Sequence, residues 1–175
     1  KADFDDFFDS IDHLRLEDRL RAYLADEPAV SLVMRWVRAG APAQSRGLPT
    51  GAPLSPVLSN LFLDQFDEQV SKPGRRLVRY ADDFVLLFRN PSEAGEVQAE
   101  AAGAARSLLL SLNADKELLT DFRTPMDFLG WRFEKGSEWT CYPVAQVQRI
   151  EEYGWKAGCD ETRQYFSAWP LPGES

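Results

Sequence analysis

The sequence predicts an α+β fold in which an antiparallel sheet is backed by helices. Two observations lead to this prediction: short runs with strand composition form hairpin signals, and longer runs with helical spacing of apolar residues lie between them. At 175 residues the chain is long enough for one compact domain with a substantial core. Its 44% hydrophobic content, including eleven Phe and five Trp, excludes a disordered protein.

The first part of the chain is predicted to be mainly helical. Asp12 is a candidate N-cap for the first long helix, and Gly40 and Pro42 end the second. A stretch rich in Gly and Pro then predicts a loop. In chain order, the predicted elements are a strand end at 3–11, helices at Leu14–Leu24 and Glu27–Val37, a loop at 40–53 and a helix at Pro56–Gln69.

The second part is predicted to begin with a β-hairpin that has Ala81, Asp82 and Asp83 at its tip. Ser92 is a candidate cap for the helix that follows. The predicted elements are strands at Arg75–Tyr80 and Phe84–Phe88, a helix at 93–112, and short strands near 117–122, 127–133 and 138–142. Beyond Val144 the pattern weakens into a tail without a motif.

Charge and cysteine content restrict the function classes. A net charge of −8 counts against a free-standing nucleic-acid binder, because phosphate contacts need Lys and Arg. Yet five aspartates crowd into positions 3–12, and a basic cluster consists of Lys72, Arg75, Arg76 and Arg79. An acidic site beside a basic approach suits metal-dependent phosphate chemistry.

The two cysteines, Cys141 and Cys159, lack the CxxC spacing of zinc sites and are too few for a disulfide scaffold. We find neither a signal-peptide pattern at the first residues nor a run of about 18 apolar residues, so we expect no membrane association. A reducing cytoplasm fits this pattern best.

Three carboxylates are the candidate chemical centre. Asp82 and Asp83 lie at the predicted hairpin tip, and Asp3 ends another predicted strand. If these strands are neighbours, the carboxylates converge and repel one another, which Mg²⁺ with its preference for oxygen ligands would resolve. Two such ions support nucleotidyl transfer. A calcium-binding EF-hand is excluded, because its sixth and twelfth positions would be Phe8 and Leu14.

Five sequence blocks in a fixed order resemble the reverse transcriptase family. The first block resembles the family's first catalytic motif, the second resembles its loop and helix that contact template and nucleotide, and the third resembles its YADD motif. The last two resemble a motif with a lysine near pyrophosphate and the primer grip. The blocks are DFDDFFDSIDH at 3–13, GLPTGAPLSPVLSN at 47–60, RYADDFVLL at 79–87, LNADK at 112–116 and FLGW at 128–131.

The resemblance implies a polymerase palm with a ferredoxin-like core over residues 1–143. It implies fingers upstream of residue 1, and a tail over 144–175 that forms a partial thumb connection. The wording GLPTGAPLSPVLSNLFLDQFD and RLVRYADDFVLL is similar to the bacterial group II intron-like class, and especially to its CRISPR-associated branch. Retrons and intron maturases remain alternatives.

The resemblance also assigns roles to residues. Lys116 would be the general acid that protonates the leaving pyrophosphate, and Phe8 would exclude a nucleotide with a 2′-hydroxyl. Thr50 stands where the family usually has Gln, and this difference puts the positioning of the base pair in doubt. The implied ligands of two Mg²⁺ ions, with Mn²⁺ as a substitute, are Asp3, the Phe4 carbonyl, Asp82 and Asp83. The implied nucleotide-binding residues are Asp6, Phe7, Phe8, Pro49, Thr50 and Gly51, and the implied primer grip is Phe128, Leu129 and Gly130.

The expected activity is RNA-directed DNA polymerisation, with an RNA template, a DNA or RNA primer and dNTPs. CRISPR adaptation integrase proteins or intron RNA would be further partners. Two alternatives stay open: a palm-fold scaffold without catalysis, and an RNA-templated RNA polymerase. Intact Asp3, Asp82 and Asp83 argue against the first, and Phe8 with the YADD wording argues against the second.

Overall fold

A computed structural model describes residues 1–41, 45–136 and 139–144. The chain divides into two compact units, the first formed by Lys1–Leu118 and the second beginning at Leu119. Within the described residues, no helix combines the length and apolar character needed to cross a membrane. The predicted tail at 144–175 lies outside the described residues, except for Val144.

The first unit contains three strands and five helices in the part of the chain that is described. Its strands are β1 (Ala2–Asp3), β2 (Arg75–Tyr80) and β3 (Asp83–Phe88). Its helices are α1 (Phe7–Ser10), α2 (His13–Tyr23), α3 (Glu27–Gly40), α4 (Ser55–Val70) and α5 (Ala94–Ser107), with short 3-10 helices at Pro91–Glu93 and Ala114–Lys116. This mixture of helices and antiparallel strands confirms the predicted fold class.

The sheet of this unit has the strand order β1-β3-β2, and both pairings are antiparallel. β2 and β3 form a hairpin in which Tyr80 pairs with Asp83, so Ala81 and Asp82 are its two turn residues. The predicted hairpin is confirmed. The central position of β3 places the start of that strand directly beside the end of β1.

Local signals explain where the long helices begin. The Asp12 carboxylate accepts hydrogen bonds from the backbone N–H groups of Leu14 and Arg15, both at 3.1 Å, which confirms Asp12 as the N-cap of α2. Asp26 caps α3 in the same way, accepting from the N–H of Ala29 at 3.0 Å. The predicted helices are therefore confirmed, with α3 extending to Gly40.

A cluster of aromatic rings fixes the sheet against α4. Phe66 of α4 packs edge-on against Phe4 and Phe84, with ring centroids 5.0 Å apart in both pairs. Phe4 and Phe84 are themselves 5.4 Å apart. Because successive side chains of a strand point to opposite faces, these rings direct the neighbouring Asp3 and Asp83 to the face away from the helix.

The predicted helix at 93–112 is corrected at both ends. Ser92 is not its cap, because α5 begins at Ala94 after the 3-10 helix Pro91–Glu93, whose own N-cap Asn90 accepts from the Ser92 N–H at 3.2 Å. The helix α5 ends at Ser107, because Leu109 adopts a left-handed φ of 60°. Leaving the helix there buries Leu108 and Leu110 in the core, which continued helical geometry would not do.

The second unit contains an antiparallel sheet with the order β4-β5-β6, formed by Met126–Phe128, Trp131–Lys135 and Trp139–Pro143. The predicted strand at 138–142 is confirmed as β6. The single strand predicted at 127–133 is wrong, because Leu129 and Gly130 form a turn with φ of 51° and 78°.

The strand predicted at 117–122 is also wrong, since these described residues form no strand. Phe122 has a left-handed φ of 67°. The Thr120 hydroxyl accepts from the Phe122 N–H at 2.9 Å and donates to the Thr124 carbonyl at 2.8 Å. These side-chain bonds form a local turn where the sequence pattern predicted an extended chain.

Candidate active site

Asp3 and Asp83 are direct partners across β1 and β3, in register. Residues that pair directly in antiparallel strands carry their side chains on the same face, so the two carboxylates lie side by side. Asp3 is only 7% exposed although it is charged. Such burial of a carboxylate is costly unless a cation or hydrogen-bond donors compensate it.

Asp82 joins this pair from the β2–β3 turn. Burial raises the pKa of its carboxyl, and the nearby negative charge of Asp3 raises it further, whereas Lys116 opposes both effects. The structure thus brings together Asp3 and Asp82, which are far apart in the sequence. The preceding residue, Ala81, has a left-handed φ of 52°, which is uncommon for a residue with a Cβ.

Two lysines offset part of the negative charge of the acidic group. The Lys116 ammonium makes an ion pair and hydrogen bond with Asp3 Oδ2, and this contact is the main reason that the pKa of Lys116 is raised. The segment before Lys116 is fixed beside β1, because the Asn113 N–H donates to the Asp3 carbonyl at 2.8 Å. Lys1 Nζ lies 3.4 Å from Asp83 Oδ2.

The remaining oxygens of this group have the chemistry of metal ligands. Asp3 Oδ1 and Asp83 Oδ1 are buried and have no hydrogen-bond partner in the structure. Buried carboxylate oxygens without a donor suit a hard divalent cation such as Mg²⁺. Among the described residues, however, no group of three or more His, Cys, Asp or Glu side chains is already arranged to hold a metal ion.

The Phe4 carbonyl lies on the same edge as these carboxylates. The carbonyls of Lys1 and Asp3 accept from Leu118 and Asn113, on the side of β1 away from β3. Because carbonyl directions alternate along a strand, the carbonyl of Phe4 points to the β3 side, where the turn carrying Asp82 lies. The backbone geometry is therefore compatible with its predicted role as a further ligand.

Comparison with known proteins identifies the family. Residues 1–133 match the family described as reverse transcriptase (RNA-dependent DNA polymerase). The chain belongs to the reverse transcriptase family. This match covers all five sequence blocks that resemble the family, including the two strands that carry Asp3 and Asp83.

Two curated relatives are similar to this chain. Protein YkfC of Escherichia coli strain K12 is 27% identical over 173 residues, covering 75% of this chain and 45% of that protein. The retrovirus-related Pol polyprotein from the type-2 retrotransposable element R2DM of Drosophila melanogaster is 30% identical over 129 residues, covering 62% of this chain and 12% of that protein. The chain therefore spans less than half the length of either relative.

The residues predicted to bind nucleotide come from α1, from the residue before it and from the loop before α4. The Leu48 N–H donates to the Phe8 carbonyl at 2.8 Å, which joins the two segments. The Ser55 hydroxyl donates to the Pro49 carbonyl at 2.6 Å and fixes the loop to the start of α4. Thr50 and Gly51 are exposed, and Gly51 has a φ of 77° that favours glycine.

The three predicted residues of the first block differ in their surroundings. Asp6 is exposed, with a left-handed φ of 40°, and precedes α1. The Phe7 ring is 2% exposed and packs in the core, 5.6 Å from the ring of Phe4. Phe8 is half-buried and lies edge-on to Phe7 at 5.3 Å. The roles of all three residues stay predictions.

The residues of the predicted primer grip lie in the second unit, at the β4–β5 hairpin. Phe128 is 7% exposed, whereas Leu129 in the turn is 49% exposed. Successive positive φ values at Leu129 and Gly130 are typical of a type I′ hairpin turn. The hairpin thus presents an apolar side chain at its tip.

Ion pairs change the interpretation of the basic cluster. Lys72 binds Glu100 at 2.7 Å, Arg75 also pairs with Glu100, and Arg79 binds Asp67 at 2.5 Å. Three of the four cations predicted to form a basic approach are therefore neutralised by helix carboxylates. The contact between Arg79 and the turn that carries Asp82 was not predicted from the sequence, where its signal is the position of Arg79 two residues before that turn.

Proposed function

We propose that the chain carries the catalytic centre of an RNA-directed DNA polymerase, which adds dNTPs to a primer 3′ end on an RNA template. The observation that carries this proposal is the convergence of Asp3 and Asp82 at one edge of the sheet, beside Asp83. Their mutual repulsion and the unpartnered oxygens of Asp3 and Asp83 are what a cation site in a nucleotidyl transferase requires.

The proposed metal ligands are Asp3, Asp82 and the Phe4 carbonyl, with Asp83 as an adjacent carboxylate. Two bound Mg²⁺ ions, or Mn²⁺ in their place, would activate the primer hydroxyl and stabilise the leaving oxygen. The chain's own residues hold the oxygens in place: the aromatic cluster under β1 and β3 fixes both strands, and the β2–β3 turn brings Asp82 to them.

Lys116 is proposed as the proton donor to pyrophosphate. Its ammonium is bound to Asp3, and this contact raises its pKa. A cation that neutralises Asp3 would weaken this contact, so that Nζ becomes available to a departing phosphate oxygen. General acid catalysis of this kind contributes about 10²–10⁴-fold in rate.

The proposed nucleotide site combines Asp6, Phe7 and Phe8 with the loop at 49–51, and the primer grip is Phe128, Leu129 and Gly130. We further propose that residues 1–143 form the palm. The template and lineage are proposals at the same level: a group II intron-like enzyme, with CRISPR adaptation integrase proteins or intron RNA as partners. The name of the R2DM relative, a retrovirus-related Pol polyprotein, supports retroelement chemistry in general.

The deciding experiment replaces Asp82 by Asn in the complete gene product and measures primer extension on RNA. We expect a loss of at least about 100-fold, equivalent to ~2.7 kcal/mol of transition-state stabilisation. Asp18→Asn is the matched control, because Asp18 is an exposed carboxylate on α2. Extension by the Asp82 variant at more than a few per cent of the wild-type rate would contradict the proposal.

Supplying dNTPs and rNTPs in parallel separates the two alternatives. A wild-type protein that prefers rNTPs would be an RNA-templated RNA polymerase. A wild-type protein that extends neither, with a folded structure and added Mg²⁺, would favour the palm-fold scaffold.

A further inference from the structure

Arg79 is a largely buried cation that connects three parts of the first unit. Its side chain is 10% exposed. Its Nε and Nη2 donate to the two carboxylate oxygens of Asp67 at 2.8 and 2.5 Å. Its Nη1 donates both to Asn60 Oδ1 and to the Ala81 carbonyl, each at 2.9 Å. One planar guanidinium thus joins β2, α4 and the β2–β3 turn.

The helix provides a rigid base for this contact. Asn60 and Asp67 are seven positions apart on α4, two helical turns, and so lie on the same face of the helix. The bidentate pair with Asp67 restricts the guanidinium to one plane and one orientation. The remaining donor, Nη1, is therefore directed at the Ala81 carbonyl by groups outside the turn.

The bonded carbonyl belongs to the peptide that links Ala81 to Asp82. A peptide unit is planar, so fixing the Ala81 oxygen also fixes the backbone nitrogen from which the Asp82 residue extends. The left-handed φ of 52° at Ala81 is unfavourable for a residue with a Cβ, and a turn in this conformation needs support from its surroundings. Arg79 supplies that support next to the catalytic carboxylate.

We infer that Arg79 is a positioning residue, which holds the Ala81–Asp82 turn so that Asp82 stands beside Asp3. Arg79 does not touch the reacting groups itself; it acts through the backbone of Ala81. This inference rests on the proposed function, because positioning matters for catalysis only if Asp82 is a ligand of the catalytic metal ions.

Arg75 offers a matched control on the same strand. It lies four positions earlier, so its side chain is on the same face of β2, and that side chain is 8% exposed. It likewise pairs with carboxylates, namely Glu100 and Glu96 of α5 and Glu93. Both arginines link the sheet to a helix through ion pairs, but the contact with the Ala81 carbonyl is made by Arg79.

The test compares Arg79→Gln with Arg75→Gln in the complete gene product. We expect both variants to lower the Tm. We expect Arg79→Gln alone to lower kcat for dNTP addition by on the order of 100-fold, the loss that a misplaced catalytic group typically causes. Arg79→Gln should also raise the Mg²⁺ concentration that gives half-maximal activity at least about fivefold. For Arg75→Gln, kcat and this Mg²⁺ concentration should stay within about twofold of the wild-type values.

Two measurements report on the turn without any turnover. The free Mn²⁺ signal in electron paramagnetic resonance gives the affinity of the protein for Mn²⁺, which Arg79→Gln should weaken about fivefold or more. Amide hydrogen exchange of the peptide that spans residues 80–83 should accelerate in Arg79→Gln and not in Arg75→Gln. Arg79→Lys, which keeps the charge but not the fork, should recover only part of each loss.

If Arg79→Gln does not fold, Asp67→Asn replaces it, with Glu100→Gln as its control. Asp67→Asn removes the charge that orients the guanidinium and should change kcat and Mn²⁺ affinity in the same direction by a smaller factor. The inference would be overturned if Arg79→Gln and Arg75→Gln, or Asp67→Asn and Glu100→Gln, had equal kcat, equal Mn²⁺ affinity and equal rates of amide hydrogen exchange. Primer extension by Asp82→Asn at the wild-type rate would instead overturn the proposed function. Faster amide exchange at residues 80–83 in Arg79→Gln would still show that Arg79 stabilises the turn.

Discussion

Asp3 and Asp83 face each other across two antiparallel strands, and each has one buried carboxylate oxygen without a hydrogen-bond partner. This arrangement lowers the stability of the fold, because like charges in a partly buried environment repel one another. Asp82 at the adjoining turn adds a third carboxylate with a raised pKa. A site built in this way should become more stable when one charge is removed.

We predict that Asp82→Asn raises the stability of the protein at neutral pH without divalent metal. The pKa of Asp82 is raised in the folded state, so protonation of this carboxyl stabilises the folded protein. That stabilisation is fully present below the unfolded pKa of 3.8 and is lost as the pH rises through the folded pKa. The wild type therefore carries the cost at pH 7 and the variant does not. We expect a Tm increase of no more than about 2–4 °C, the effect of ~1 kcal/mol in a chain of this size, because solvent screens the repulsion at this partly exposed carboxylate.

Thermal unfolding in EDTA between pH 3 and 8 measures this effect. The difference between variant and wild type should be small near pH 3 and should grow with pH. Asp18→Asn, at an exposed carboxylate, should show no such growth. A constant difference across the whole range would mean that ionisation of Asp82 is not its cause.

We predict opposite effects of Lys116→Met on metal binding and on catalysis. The Lys116 ammonium occupies Asp3 Oδ2, so its removal frees a carboxylate oxygen and should strengthen Mn²⁺ binding several-fold. The same change removes the proposed proton donor, so kcat should fall by about 10²-fold. Mn²⁺ titration and single-turnover extension measure the two effects separately.

Lys116→Arg separates the charge of this residue from its acidity. An arginine keeps the positive charge beside Asp3 but is a much poorer proton donor. We therefore expect Mn²⁺ affinity close to that of the wild type together with a reduced kcat. If Lys116→Met left kcat unchanged, Lys116 would be a charge partner of Asp3 and not a general acid.

The sequence predicted the elements whose signals are local and missed those that depend on distant contacts. The N-cap Asp12 and the hairpin at Ala81–Asp82 are encoded within a few residues, and both are confirmed. The end of α5 was placed too late, because the apolar Leu108–Leu110 stretch continues the helical pattern, while core packing selects a left-handed Leu109. The tertiary structure decided this boundary.

The candidate site shows the same division. The aspartates were found because they stand in ordered motif blocks, but their register across β1 and β3 is a long-range pairing that no periodicity reveals. Arg75 and Arg79 form ion pairs with helix residues more than ten positions away in the sequence. These residues were predicted to form a basic surface, but they link the sheet to the helices. Charge content alone cannot distinguish these cases.

We predict that Phe8→Ala relaxes selection against ribonucleotides. The Phe8 ring is half-buried against Phe7, and its carbonyl accepts from Leu48 of the proposed nucleotide loop. Removing the ring should make room for a 2′-hydroxyl, so the ratio of kcat/KM for dNTP to that for rNTP should fall by about tenfold or more, within the 10–200-fold range of steric discrimination. Phe8→Tyr keeps the bulk and should retain the wild-type ratio.

Steady-state incorporation of dCTP and CTP opposite the same template base provides the measurement. The Tm of Phe8→Ala should also be recorded, because loss of a half-buried ring costs stability. A destabilised variant with an unchanged ratio would show that Phe8 serves only in packing.

We predict that Phe66 supports the site from below the sheet. Its ring is fully buried and contacts both Phe4 and Phe84, the residues that follow Asp3 and Asp83 in the chain. Phe66→Ala should therefore lower the free energy of unfolding by about 3–5 kcal/mol, as is usual for a buried Phe. Phe66→Leu keeps most of the volume and should cost less than half as much.

Urea denaturation measures this loss, and Mn²⁺ titration of the folded Phe66→Leu protein tests its consequence for the site. Because one ring contacts the neighbours of both aspartates, repacking around Leu should weaken Mn²⁺ binding as well as stability. Val30→Ala, at a fully buried position on α3, is the control, since it should lower stability without changing Mn²⁺ affinity. Equal Mn²⁺ affinities in Phe66→Leu and Val30→Ala would show that the aromatic cluster stabilises the fold without setting the positions of Asp3 and Asp83.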